Sequence, residues 1–230
     1  MKQSLILSIE TSGAACSVSL AKGGEVVGSV TLDDSNRQSS MLVPAIESLF
    51  KQCSRPMSEC DAVAVSSGPG SYTGLRVGVS TAKGLCYGLG KPLISVPTLE
   101  ILLAEARSME QCAGADYFVP MLDARRMEVY QAVYDADGNC VEEVSAKVLD
   151  AGSYADLLQK GRVVFVGTGA GKYSDAFPHP NGIYVPCVPK AGFMASAAQA
   201  AYDAGRFEDV AYFEPFYLKE FVAVVKKNPI

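Results

Sequence analysis

Apolar and polar positions along the first third of the chain follow strand periods before they follow helix periods. Leu5 to Glu10 is a short continuous apolar run and reads as a buried strand. Ala15 to Ala21 alternates with period two and reads as a half-buried strand. Lys22-Gly23-Gly24-Glu25 then supplies a hairpin turn, because glycine reaches positive φ without a Cβ clash. Glu25 to Leu32 is the third strand of this antiparallel meander. After the polar Asp33 to Arg37, the period changes to helical. Leu42, Ile46, Leu49 and Cys53 share one stripe, widened by Val43 and Phe50, and predict a helix over 39–53. Pro44 suits that helix if it begins near 41–43 and would kink it otherwise. Strands follow at 61–66 and 92–97, with a glycine-rich loop and a helix to Leu89 between them. Thr98 is the expected cap of a helix over 99–107.

The second half starts again with strands. Residues 117–124 and 127–134 are joined by a tight Arg125-Arg126 turn, and Val141 to Leu149 makes a third strand. A short helix over 154–159, a strand over 162–167 running into Gly167-Thr168-Gly169-Ala170-Gly171, and an alanine-rich helix over 194–204 complete the pattern. The order β-β-β-α-β-α thus recurs without visible sequence identity. The order predicts an α/β fold of two closely packed lobes, about 1–110 and 111–230, each with a mixed sheet and flanking helices, the second shortened. That arrangement suits the actin-like ATPase (ribonuclease H-like) fold.

Composition narrows the function. The 230 residues carry a net charge of -5 with no Lys/Arg run, so unaided nucleic-acid binding is not expected. The seven cysteines are scattered with no C-x-x-C pair, which argues against a disulfide framework or a zinc cage and for buried thiols in the cytoplasm. No run approaches the roughly 18 to 20 apolar residues of a membrane span. His179 is the single histidine, between two prolines in a loop-like stretch; a two-His metal motif is impossible and a Ser-His-Asp triad would have to use it.

The most distinctive stretch is S-S-G-P-G-S-Y-T-G-L-R-V-G, Ser66 to Gly78. It has the look of a phosphate cradle, but Gly68, Gly70 and Gly74 match neither the Walker A spacing nor the dinucleotide spacing, and no nucleophile elbow is present. Gly68 and Gly70 still permit a tight turn, and Ser71 or Thr73 is either a helix cap or part of an anion-holding helix N-terminus. The helix that follows has an apolar stripe of Leu75, Val79, Ala82, Cys86 and Leu89 and a second, small stripe of Gly74, Gly78, Thr81 and Leu85. Arg76, Ser80, Lys83 and Tyr87 make its polar face. Glycines at 74, 78, 84 and 88 each cost roughly 1 kcal/mol against alanine, so something is expected to approach that backbone closely. Either the helix over 39–53 fills that role within the chain, or the helix pair also forms a subunit interface.

I-L-S-I-E-T-S at the N-terminus, G-P-G-S-Y-T-G-L-R, F-V-G-T-G-A at 165–170 and P-F-Y-L-K at 215–219 together resemble the TsaB (YeaZ) family over essentially the whole chain. The resemblance implies an accessory, non-catalytic subunit in making the threonylcarbamoyladenosine of tRNA. It implies dimerisation with a TsaD-like catalytic paralogue through the two early helices, at Leu42, Ile46, Leu49, Phe50, Gly74, Leu75, Gly78, Thr81 and Leu85, and a homodimer when that partner is absent. A TsaE-like ATPase joins the complex, and tRNA is touched only indirectly. ATP and metal are expected in the partner subunits and no cofactor in this one. Gln38 stands where many family members have a histidine, and Glu10 where actin-like folds commonly have Asp. Glu10, Gly68, Gly70, Ser71 and Thr73 are the candidate residues of a vestigial ligand loop, with Glu10 either orienting a nucleotide's metal or ending a strand. A stand-alone actin-like ATPase or kinase is the alternative, and a glycoprotease-like peptidase a weaker one.

Overall fold

The computed structural model describes residues 3–32 and 38–219. The loop expected over Asp33 to Arg37 and the side chain of Gln38 lie outside the described residues. Strands β1 (Leu5–Glu10), β2 (Cys16–Lys22) and β3 (Glu25–Leu32) form the meander. Gly23 and Gly24, both at positive φ, make its β2–β3 hairpin turn. Helix α1 (Gln38–Gln52), β4 (Ala62–Ser66), α2 (Tyr72–Leu89), β5 (Leu93–Val96) and α3 (Thr98–Arg107) follow. Then come β6 (Tyr117–Asp123), β7 (Glu128–Asp135), β8 (Cys140–Val148), α4 (Ala155–Lys160), β9 (Val163–Val166), α5 (Ala170–Ala176), β10 (Gly182–Val185) and α6 (Ala195–Asp203).

The first sheet runs β3-β2-β1-β4-β5, and the second, read from its meander edge, runs β8-β7-β6-β9-β10. Both have antiparallel meanders on one side and parallel strands on the other. This is a duplicated actin-like, ribonuclease H-like fold. The duplication is fuller than the sequence pattern predicts, because α5 and β10 lie between the strand at 163–166 and the alanine-rich helix. They escape pattern reading because neither carries the apolar run that marks the equally short β5 and β9: α5 is mostly small and polar residues, and three of the four residues of β10 are only half-buried.

Three local expectations change. Helix α1 begins at Gln38, so Pro44 lies inside it and cannot donate to the carbonyl at position 40. Helix α3 begins one residue early: Pro97 is its N-cap, and Thr98 is its first residue, with a buried Oγ1 that bonds to none of the described residues. Tyr154 precedes α4 in the left-handed region at φ 61° rather than belonging to it.

Burial explains the strand patterns. β1 and β4 are central and buried throughout, as parallel and flanked strands must be. Leu5, Leu7, Ile9, Val63 and Val65 face α1 and α2, meeting Leu42, Ile46, Leu49, Val79 and Cys86. Ile6, Ala62, Ala64 and Ile94 point the other way, against Ala198 and Ala201 of α6. So α6, from the end of the chain, covers the first sheet. Leu99, Leu102, Leu103 and Ala106 of α3 in turn pack with Phe118, Val164 and Val166 of the second sheet. Each sheet takes a helix from the other half of the sequence.

The glycines of α2 divide into two kinds. A Cβ on Gly74 or Gly78 would overlap Thr11, at its carbonyl oxygen and its Oγ1 respectively. What approaches this backbone within the chain is therefore Thr11, directly after β1, rather than α1. Gly84 and Gly88 have nothing within 4 Å of where a Cβ would stand. Gly78→Ala should therefore lower unfolding stability by about 1–3 kcal/mol through overpacking, while Gly84→Ala should raise it by about 0.5–1 kcal/mol. Urea denaturation of the two variants checks this. Equal effects would mean that Thr11 is not what demands the glycine.

Candidate functional site

The glycine loop connects the buried C-terminal end of β4 to α2. Gly68, at φ 109°, precedes Pro69 across a cis peptide. Its carbonyl accepts from Thr98 N at 2.9 Å, which ties the loop to the start of α3. Gly70 brings the chain against Ser12, since a Cβ there would stand 2.7 Å from the Ser12 carbonyl oxygen. One residue on, Ser71 N donates to that same carbonyl at 2.7 Å. The Ser71 hydroxyl accepts from Gly74 N at 3.2 Å, so of the two capping candidates Ser71 is the cap. Thr11 Oγ1 donates to the Gly74 carbonyl at 2.7 Å. The turn after β1 and the first turn of α2 are thus stitched together.

These segments form one wall of a cleft of about 830 Å³ between the lobes. Gly70, Ser71 and Thr73 line it, and Gly68 and Glu10 do not. The opposite wall is the β6–β7 turn, with Asp123, Ala124 and Arg125, together with Tyr130 and Thr168. Arg125 and Arg126 turn the chain with both residues left-handed, at φ 70° and 49°. Asp123 holds that turn: its Oδ1 accepts from Arg125 N at 2.6 Å and pairs with Lys172 Nζ at 2.8 Å. Thr168 Oγ1 accepts from Asp123 N at 2.9 Å. Pattern reading missed this wall, although the Arg-Arg turn and Gly-Thr-Gly were visible. Nothing in the sequence says that they face the glycine loop.

Glu10 is turned inward. It is completely buried, and its Oε1 accepts from the backbone N and the hydroxyl of Ser12, both at 2.5 Å. Its Oε2 bonds to none of the described residues. Burial raises its carboxyl above the ordinary glutamate range, with the Ser12 bonds working against that. Glu10 therefore braces the Ser12 turn from inside, consistent with the strand-ending alternative. Among the described residues, no three His, Cys, Asp or Glu side chains come together as a metal-binding group. His179 is in the loop between α5 and β10, away from the cleft lining, where its Nδ1 accepts from Asn181 N at 3.1 Å. The cysteines are all free, and burial pushes the thiols of Cys16 and Cys86 up to about 11, so neither is a reactive thiolate near neutrality.

The predicted interface positions divide by depth. Leu42, Ile46, Leu49, Phe50 and Leu75 are buried in the first lobe's own core, and Gly74 and Gly78 against Thr11. Thr81 and Leu85 are partly exposed. The outward face of α2 is instead carried by Ser80, the open Gly84 and Gly88, and Tyr87, which is 87% exposed. Val43, 47% exposed, does the same for α1.

Comparison with known proteins agrees with this architecture. Residues 26–222 match the model of the TsaD family, tRNA N6-adenosine threonylcarbamoyltransferase. The tRNA threonylcarbamoyladenosine biosynthesis protein TsaB of Escherichia coli is 31% identical, over 95% of this chain and 96% of that one. The chain belongs to the TsaB (YeaZ) family. The Haemophilus influenzae TsaB is 30% identical over 96% of both chains. The solved YeaZ of Pseudomonas aeruginosa superposes with a TM-score of 0.77 at 30% identity, over 94% of this chain and all of that one. Family membership therefore agrees with the resemblance carried by the glycine loop. No helix among the described residues is long and apolar enough to cross a membrane.

Glu10 gives a pH test. A carboxyl raised on folding stabilises the protein fully below its ordinary pKa, and that contribution is lost as pH rises through the folded value. Glu10→Gln keeps the oxygen that Ser12 binds and removes the charge. The variant should thus gain stability over the parent chain progressively as pH increases above 4.5. Urea unfolding of both from pH 4.5 to 8 measures it; parallel curves would show that burial does not perturb Glu10.

Proposed function

We propose that this chain is an accessory subunit of the machinery that makes threonylcarbamoyladenosine in tRNA, acting in the cytoplasm and carrying no nucleotide or metal of its own. The observation that carries the reading is near-full-length similarity to TsaB relatives named for that biosynthesis. Its contribution is to dock on a TsaD-like catalytic paralogue and hold it in an active arrangement, with a TsaE-like ATPase joining the assembly. With no partner present, the same face pairs two copies. tRNA is reached through the partner, in keeping with a net charge of -5.

Two features support the non-catalytic role. The first-strand acid is buried behind the Ser12 turn instead of lining the cleft. The outer face of α2 combines an exposed aromatic ring with two bare glycines, a surface that admits a partner helix at short range. That surface replaces the buried positions as the site of contact.

Reconstitution tests the proposal. With the TsaD-like and TsaE-like proteins, substrates and tRNA, omission of this chain should abolish tRNA modification; undiminished modification would reject the role. Gly84→Arg with Tyr87→Ala should remove co-purification with the paralogue while leaving the thermal midpoint of the chain within a few degrees. Retained association would move the interface off α2.

A further inference from the structure

Residues 207–219 leave α6 and run back across the first lobe. Glu208 N donates to the Leu93 carbonyl at 2.9 Å, adding a bridge to the edge of β5, and its carboxylate accepts from Ser95 Oγ at 2.5 Å. Lys83 of α2 then holds the segment by donating to the carbonyls of Ala211 and Phe213, at 2.9 and 3.1 Å. The last six described residues do something different. Phe216 N donates to the Ser67 carbonyl at 2.7 Å, directly at the glycine loop. The Phe216 carbonyl occupies the space a side chain on residue 68 would need. Tyr217 lies against Tyr72 at the start of α2, ring centres 4.9 Å apart. Lys219 crosses the cleft mouth and pairs with Glu128 of β7, in the other lobe. Tyr217, Leu218 and Lys219 all line the cleft.

We propose that residues 214–219 form a releasable clasp. It sits on the glycine loop where a loop of this kind would otherwise meet a ligand, and it sets how far the cleft opens. The argument is geometric. Gly68 at φ 109° has no room for a Cβ, and the atom that fills that room belongs to the chain's own backbone at Phe216. The clasp's two ends differ in strength. Its near end is a backbone hydrogen bond over a half-buried loop, with the Tyr217–Tyr72 contact beside it. Its far end is a single ion pair whose lysine side chain is 47% exposed, of the kind that contributes little and is easily broken. Release therefore starts at Lys219 and frees the second lobe's wall first. Because Tyr217 rests on Tyr72, clasp release also loosens the first turn of α2. This inference does not depend on the tRNA-modification reading, since it rests on contacts within one chain.

Hydrogen exchange of the full chain, resolved to peptides, tests it. Lys219→Glu places like charges at the far end. Exchange should rise about two- to fivefold in 214–219, in 70–75 and in 123–130, the range expected for an exposed ion pair. The reciprocal swap Lys219→Glu with Glu128→Lys should restore protection at all three. Phe216→Pro, which removes the donor to Ser67, should deprotect 66–72 and 123–130 together. Unchanged exchange at 123–130 in Lys219→Glu, or a swap that fails to restore it, would overturn the clasp.

Discussion

The contact between Thr11 and the first two turns of α2 is the constraint from which the rest of the molecule follows. Gly74 and Gly78 allow the helix backbone to come down onto the end of β1. The Thr11 hydroxyl satisfies the Gly74 carbonyl, and the Ser12 carbonyl takes the Ser71 N–H. Two glycines inside a helix weaken it locally, and close packing plus these bonds offset that cost. The seat so formed fixes three things together: the direction of α2, the position of the glycine loop, and the inward turn of Glu10, whose oxygen holds Ser12.

Around that seat the two lobes are built alike and locked by exchange. α3 leaves the first sheet and packs on the second, and α6 returns from the second half to cover the first. The lobes meet again through the partly exposed Lys190 and the buried Glu105. Neither half of the sequence closes its own core, so the cleft is bounded by surfaces that depend on both. The chain's own C-terminal segment then runs through the cleft mouth.

This arrangement accounts for a glycine-rich loop with no phosphate-loop spacing. Part of its glycine content serves intramolecular contact: Gly68 with Phe216, Gly70 with Ser12, and Gly74 and Gly78 with Thr11. Within α2, Gly84 and Gly88 face outward with nothing within 4 Å of where a Cβ would stand. The loop and its helix thus serve packing on one side and leave an open surface on the other.

Much of the fold was legible in the sequence, because strand and helix periods report burial directly. The alternating runs marked the meander, the continuous runs marked β1 and β4, and the stripe from Leu42 to Cys53 marked α1. The short α5 and β10 were not legible, because neither carries the buried apolar run that marked the equally short β5 and β9. The glycine-loop motif, together with the N-terminal strand, the Gly-Thr-Gly stretch and Pro-Phe-Tyr-Leu-Lys, was enough to mark the family, because a motif is read from residue types and spacing without knowing what each residue contacts. What approaches each glycine was decided only in three dimensions. Four glycines in one helix look equivalent along the chain, yet two are buried against Thr11 and two stand open. The same holds for Glu10, for the second wall of the cleft and for the strap at Phe216. Each depends on partners between 45 and 150 residues or so away, or on the side of the sheet a residue faces, and local pattern carries no information about contacts at that separation.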